Sequence, residues 1–324
     1  MNNLNGVLLL DKPAGITSNR ALQRVKRLFN TTSKVGHTGS LDPLATGMLP
    51  ICFGEATKFS GFLLNSDKKY IVTMQIGIKT DTGDLDGSVV ASESTNQIFT
   101  ELEVQSVLKE FIGNISQVPP IYSAIKQNGV PLYKLARLAK KQSQKLDDNA
   151  NPVEKINITP LPRTIKINSI KLYEICNLKK QITLEVNCSK GTYIRTLVED
   201  IAAKLNCLAT VISLRRIEVG NFMAIDMISM EELERRVETI NNEEIFNQLL
   251  LPVKVCLASL PILEINQIDA TLLQHGKHIH IDNLNSKFSV NTLICLVNTK
   301  DSELLGVGEV MDADGLAVKR LVRL

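Results

Sequence analysis

Between Val35 and Pro50 the chain reads V-G-H-T-G-S-L-D-P-L-A-T-G-M-L-P, a stretch with three glycines (Gly36, Gly39, Gly47) and two prolines (Pro43, Pro50). Glycine loses more backbone freedom on ordering than any other residue, and proline removes a hydrogen-bond donor. Neither a long helix nor a central strand fits such a stretch. A shaped loop is expected, and it holds one histidine, His37, and one carboxylate, Asp42. An Asp before Pro commonly caps a turn. On the residues alone, that role and a catalytic one stand level.

Asp42 also closes an unusual run of charge. From Lys12 to Leu41 there are six basic residues (Lys12, Arg20, Arg24, Lys26, Arg27, Lys34) and no acid. Phe111 to Leu146 repeats the pattern with Lys126, Lys134, Arg137, Lys140, Lys141 and Lys145. The chain has 37 Lys and Arg against 34 Asp and Glu, a net charge of +3 that conceals this segregation. One such run reads as a solvated helix face. Two of them, the second interleaved with Tyr122 and Tyr133, point to a surface for phosphates.

At 324 residues the chain has room for two ordinary domains. No apolar run approaches the roughly 18 residues of a membrane span. Met1 to Gly6 carries no Lys or Arg, so a signal peptide is not expected. The six cysteines (Cys52, Cys176, Cys188, Cys207, Cys256, Cys295) are scattered without a C-x-x-C pair and read as reduced thiols of a cytoplasmic protein. Neither G-x-x-x-x-G-K-[ST] nor a G-x-G-x-x-G after a strand occurs, so nothing supports nucleotide hydrolysis or a dinucleotide cofactor.

Strand-like alternation over Ile71 to Ile76 and Ile182 to Val186 is mixed with amphipathic helices. One helix carries Ala21, Leu22, Val25, Leu28 and Phe29, started by Thr17 or Ser18, with Arg20, Arg24 and Arg27 on its opposite face. Another carries Ile194, Leu197, Val198, Ile201, Ala202 and Leu205. The mixture predicts an α+β domain. Asp147 to Pro162, rich in Asn and Pro, reads as a loop. Ser229 with Glu232 predicts a capped helix, and a break is expected at Leu251-Pro252. Beyond it, Leu293 to Val297, Leu304 to Val310 and Leu316 to Val322, with a turn at Asp314-Gly315, predict a small β-barrel over 252–324.

With these residues in place, the run Gly36-His37-Thr38-Gly39-Ser40-Leu41-Asp42-Pro43-Leu44-Ala45-Thr46-Gly47 resembles the catalytic motif of the TruB-type pseudouridine synthases. Other stretches resemble that family in order: Gly6 to Pro13 with Gly15, Asp67-Lys68-Lys69-Tyr70, Thr80 to Asp84, Val118 to Lys126, Ser189 to Thr196, and Leu214-Arg215-Arg216. The resemblance implies a mixed, largely antiparallel sheet flanked by helices in a catalytic domain over 1–251, with an RNA-gripping insertion at about 111–162. It also implies that 252–324 is a PUA-like domain.

It further implies isomerisation of uridine 55 in the TΨC loop of tRNA, with no cofactor and no metal. Asp42 would be the nucleophile. Three routes fit it: attack at C6 of the base, attack at C1′ of the sugar, and assistance to glycal formation. Arg195 would pair with Asp42 and keep it ionised, Tyr70 would stack on the uracil, and Leu214 would close the apolar side. A uridine stacked in a tRNA loop must be flipped out to react. His37 would stabilise the rearranged loop, Tyr193 would line the site, and Lys12 and Lys126 would contact RNA. His275, His278 and His280 lie near one another but lack the acidic or Cys company of a metal site. The implied partner is tRNA, by its T arm and acceptor end, with no membrane and no obligatory protein partner, the chain acting as a monomer. In one respect the sequence departs from the family. The connection between Arg137 and Arg163 is longer by roughly a dozen residues, which predicts mobility and weakens the carry-over of RNA contacts from Lys140 onward. Two other readings share the motifs, a guide-dependent synthase of the dyskerin type and an RNA chaperone with secondary catalysis.

Overall fold

The computed structural model describes residues 4–94, 97–143, 158–239, 246 and 248–322. In chain order the first half supplies β1 (Gly6–Lys12), α1 (Ser18–Leu28), β2 (Val35–His37), β3 (Thr46–Phe53), α2 (Ser60–Asn65), β4 (Lys68–Ile76), β5 (Ile78–Thr80), β6 (Val89–Ser92), α3 (Glu101–Glu110), β7 (Gly113–Gln117), β8 (Lys126–Gln127), β9 (Val130–Pro131) and α4 (Leu132–Ser143). The second half supplies β10 (Arg163–Cys176), β11 (Gln181–Cys188), α5 (Ile194–Lys204), β12 (Ala209–Val219), β13 (Ile228–Ser229), α6 (Met230–Thr239), β14 (Ile262–Ile265), β15 (Ile279–His280), β16 (Leu293–Asn298), β17 (Leu304–Val310) and β18 (Gly315–Leu321). The long connection after Arg137, for which mobility is expected, falls largely at 144–157 and lies outside the described residues.

Two compact units result. The first gathers Met1–Asp42, Met48–Asn65 and Asn221–Leu324. Its β1 is almost continuously apolar and buried, as a strand covered on both faces must be. β1 lies between β13, to which it is parallel, and β3, and β3 carries β2 antiparallel. The C-terminal strands form a second sheet, ordered β14-β16-β17-β18-β15, parallel at β14 and β16 and antiparallel elsewhere, that curls into a half-barrel. One core joins these parts. Val7, Leu9, Cys52, Ala56, Phe59 and Leu63 pack with Cys256, Leu257, Cys295, Val297 and Val307. A break by sequence at 251/252 therefore runs through a shared core, and Leu251 is itself tied to Val7 by two backbone hydrogen bonds of 2.9 Å.

The second unit is Pro43–Gly47 with Ser66–Gly220. Its sheet runs β12-β4-β11-β10-β7, each neighbour antiparallel to the next. β4 alternates between buried and half-buried along all nine residues, the mark of a sheet with one face on a core. α5 supplies that core with Leu197, Val198 and Ile201.

Two expectations are revised. The shaped stretch at Val35 to Pro50 is a loop only over 38–45, because β3 runs through both Gly47 and Pro50. Gly47 has φ +98°, and a Cβ there would meet the Arg216 carbonyl oxygen at 2.2 Å, so the residue that argued against a strand is what lets this one approach β12. Pro50 lies between the pairing of Thr46 and Gly47 with β12 and that of Ile51 to Phe53 with β2, where one edge of the strand changes neighbours. The caps behave as residue chemistry requires at α1, where the Thr17 hydroxyl accepts from the Arg20 amide at 3.1 Å. At α6 half of the capping box forms. Ser229 accepts from the Glu232 amide at 3.1 Å, while the Glu232 carboxylate is taken by Arg235 and Arg236, which hold it down to about 2.

Candidate active site

In the first unit, the loop that carries Asp42 is fixed at both ends. Its entry, β2, pairs Val35 with Phe53, Gly36 with Cys52 and His37 with Ile51, and the Thr38 amide donates to the Pro50 carbonyl at 3.1 Å. Near its far end the buried Ser18 hydroxyl accepts from the Leu41 amide at 2.7 Å and donates to the Leu41 carbonyl at 3.1 Å. One side chain at the start of α1 thus satisfies both backbone groups of the residue before Asp42. Asp42 is half-buried, as is His37. Such exposure leaves a carboxylate reachable while its backbone stays fixed.

Lys12 is fully buried, and its ammonium donates to the carbonyls of Pro13 and Ile16, both at 2.8 Å. So buried, Lys12 holds the turn between β1 and α1, because a cation inside the fold must meet acceptors there.

In the second unit, Arg195 sits in the first turn of α5 with only 5% of its surface exposed. Its guanidinium donates to the Thr82 carbonyl at 2.6 Å and the Tyr122 carbonyl at 3.0 Å, and lies 3.6 Å from the Asp84 carboxylate, itself buried. The sequence reading places Asp84 inside a motif but gives it no role. As the buried counter-charge of Arg195 it belongs to the candidate site. Its loop is stitched to β12: Val211 donates to Gly83 at 3.0 Å, Leu85 donates to Val211 at 3.1 Å, and the Thr82 hydroxyl caps the Asp84 carboxylate. Gly83, with φ +76°, lets this loop lie against Arg195, whose Cβ would be 3.3 Å from any Cβ placed there.

Tyr193 is half-buried at the cap of α5, and its backbone is gripped by Gln117. The Tyr193 amide donates to the Gln117 side chain at 2.8 Å, and that side chain donates back to the Tyr193 carbonyl at 3.0 Å. Gln117 is another residue the sequence reading passes over, since a lone Gln at a strand end carries no signal of its own. Tyr70 and Leu214 are buried on adjacent strands and share a face: Tyr70 pairs in register with Arg216, and Leu214 is two residues along. Arg216 is 1% exposed and Lys68, two residues before Tyr70, 6%. Burial first, then the Arg216 charge, pulls Lys68 down to about 8. Lys126 is exposed on β8, in the short hairpin with β9. α4 follows, carrying Arg137 5.6 Å over the Tyr133 ring and Lys140 2.8 Å from Asp81, so part of the second basic run is held by its own neighbours.

The structure thus gathers Arg195, Asp84, Thr82 and Tyr122 around one guanidinium, and Tyr70, Leu214 and Arg216 on one face of a sheet. It sets Asp42 on a braced loop and His37 at the end of the strand that leads into that loop. Tyr70 and Leu214 thus set a phenol and an apolar side chain near the buried cations Arg216 and Lys68. Among the described residues no group of three or more His, Cys, Asp or Glu is placed to hold a metal ion.

Among solved structures, a Cbf5-Nop10-Gar1 complex matches with a TM-score of 0.70 at 24% identity, covering 98% of this chain and 84% of that one. An H/ACA ribonucleoprotein bound to a substrate RNA containing 2′-deoxyuridine matches with a TM-score of 0.70 at 22% identity, covering 98% and 85%. At that identity the likeness is one of fold alone. Residues 26–194 match the model of the TruB family pseudouridylate synthase N-terminal domain, and residues 195–258 that of the tRNA pseudouridylate synthase B C-terminal domain. Among curated proteins, the tRNA pseudouridine synthase B of Nitrosococcus oceani is 45% identical over 319 residues, covering 98% of this chain and 95% of that protein. The proteins of the same name from Shewanella amazonensis and Tolumonas auensis are each 41% identical, with 99% of this chain covered and 95% and 93% of theirs. The chain belongs to the TruB family of pseudouridylate synthases.

Proposed function

We propose that this chain is a stand-alone tRNA pseudouridine synthase that isomerises uridine 55 of the TΨC loop. The observation that carries this reading is kinship along nearly the whole chain, 45% identity over 319 residues, with a protein named tRNA pseudouridine synthase B. The reaction moves the glycosidic bond from N1 to C5 of the same uracil. N1 gains a proton and C5 loses one, so atoms and oxidation level are conserved and no redox cofactor is required.

Asp42 is the nucleophile, on a loop whose backbone Ser18 holds at the preceding residue. Tyr70 stacks on the flipped uracil beside the proton that leaves C5, and Leu214 packs the apolar side of the base. Arg195, oriented by two carbonyls and Asp84, supplies the positive charge that keeps the nucleophile ionised. His37 and Tyr193 meet the rearranged loop, and Lys126 meets a phosphate of the T arm. The C-terminal half-barrel, taken as PUA-like, meets the acceptor end. The protein works as a monomer in the cytoplasm without an obligatory protein partner.

The test is to incubate the purified chain alone with an unmodified tRNA transcript and map pseudouridine. Conversion at the T-loop uridine is expected. Asp42→Asn is expected to abolish turnover while leaving tRNA affinity within a few-fold, and parallel loss of affinity would move Asp42 to a structural role. The alternative is a guide-dependent synthase that needs partner proteins. Conversion of bare tRNA removes it. An RNA-chaperone role separates from catalysis if Asp42→Asn protein still speeds tRNA folding.

A further inference from the structure

The first unit holds an open cavity of about 520 Å³ lined by Ile16, Arg20, Arg24, Arg27, Leu28 and Glu234. Three of these six side chains are guanidinium groups, all from α1, and the only acid comes from α6. Positions 20, 24 and 27 fall on one helical face, so the guanidiniums form a row roughly 10 Å long at the helical rise of about 1.5 Å per residue. Arg24 is engaged by Glu234 in a two-pronged pairing, its Nε to one carboxylate oxygen and its terminal nitrogen to the other at 2.8 Å. Among the described residues Arg20 has no carboxylate partner, and Arg27 reaches only the Gln23 carbonyl of its own helix at 3.4 Å.

We propose that this face of α1 receives backbone phosphates of the RNA substrate, with the Glu234 carboxylate standing on Arg24 until a phosphate replaces it. The inference rests on the tRNA-modifying function proposed above and adds a contact site to it. The guanidinium fork that fits a carboxylate fits a phosphate by the same two parallel hydrogen bonds. The pair is partly exposed, at 47% for Arg24 and 26% for Glu234, and pairs of that kind add little to stability, so the exchange costs the fold little. A row of cations served by one acid suits a string of anions better than a single small one. The RNA that must reach Asp42 is the favoured occupant, because Ser18, two residues before Arg20 on the same helix, is the residue that clamps Leu41 next to Asp42.

The test uses the full-length protein and an unmodified tRNA transcript, with the dissociation constant measured across a range of potassium chloride concentrations. Arg20→Ala with Arg27→Ala is expected to weaken binding on the order of tenfold and to make the dependence of log affinity on log salt shallower, by roughly one unit per lost phosphate contact. Glu234→Gln is expected to do the opposite, tightening binding several-fold and steepening the slope, because it frees Arg24. A gain in affinity is not something a misfolded variant produces. Unchanged slopes in both variants, or weaker binding by Glu234→Gln, would overturn the proposal. Wild-type protein that neither binds nor modifies the transcript would instead sink the proposed function, before the variants are compared.

Discussion

Arg195 and Asp84 show what a single buried charge demands. Both are about 5% exposed, so each must be met inside the fold, and the guanidinium is met by two carbonyls as well as the acid. Removing one partner of such a pair leaves the other charge stranded, at a cost of about 3 to 5 kcal/mol. Asp84→Asn is therefore expected to lower the urea midpoint substantially and to reduce turnover more than tRNA affinity, since Arg195 loses its orientation. An unchanged midpoint would remove Asp84 as the counter-charge. Lys68 makes a second residue-level prediction. Its ammonium titrates at about 8 in the fold against an ordinary 10.5. Between those values the folded chain binds fewer protons than the unfolded one, so this group makes stability rise with pH across that window. Below about 8 the fold bears the full cost of a buried charged lysine. Lys68→Met is expected to flatten the rise, and urea midpoints on either side of the window, compared with wild type, measure it.

At the scale of elements, the sequence is most legible where residue chemistry is local. α1 begins at Thr17, one of the two caps its sequence offers, α5 follows its apolar periodicity, and β4 and β11 follow their alternation. β10 is not legible in this way, since bulges between Ile167 and Ser169 and between Leu172 and Glu174 shift its alternation twice within fourteen residues. β3 hides behind a glycine and a proline whose tolerance depends on partners remote in sequence. The Asp42 loop was readable as a loop with one acid, but not the means of its bracing, because nothing local marks Ser18 as a partner of Leu41. Ser18→Ala tests that bracing. It leaves two backbone groups of Leu41 without their side-chain partner, at about 1 to 3 kcal/mol for a buried group. The expected result is a fall in kcat with KM little changed and a modest loss of thermal stability. Thr17→Ala removes only a helix cap, costing about 1 kcal/mol. It should lower stability without that fall, which separates loop positioning from helix stability.

At the scale of the whole molecule, sequence patterning marks the C-terminal segment as a separate run of short strands, and the strands form where they are expected. What patterning does not reveal is which core they serve. The C-terminal sheet has one cluster of its own, around Leu273, Ile294, Leu296 and Leu316. Cys295, Val297 and Val307 point instead into the cluster with Val7, Leu9, Cys52 and Phe59. Alternation along a strand assigns side chains to two faces but does not say that the second face is covered by a strand nearly three hundred residues earlier. The consequence is physical. A chain ending at Leu251 would uncover Val7, Leu9, Cys52, Ala56, Phe59 and Leu63 on one side, and each large apolar side chain so exposed forfeits about 1.5 to 3 kcal/mol of burial. Against a total stability of about 5 to 15 kcal/mol for an ordinary domain, that loss is decisive for the first unit. The truncated chain is therefore expected to aggregate or to bind a hydrophobic dye in the native buffer and to lose tRNA modification altogether. A purely appended domain predicts otherwise: a soluble 1–251 fragment with sharp cooperative unfolding, an unchanged kcat and a raised KM. Size-exclusion chromatography and thermal unfolding of the fragment beside the full chain distinguish the two.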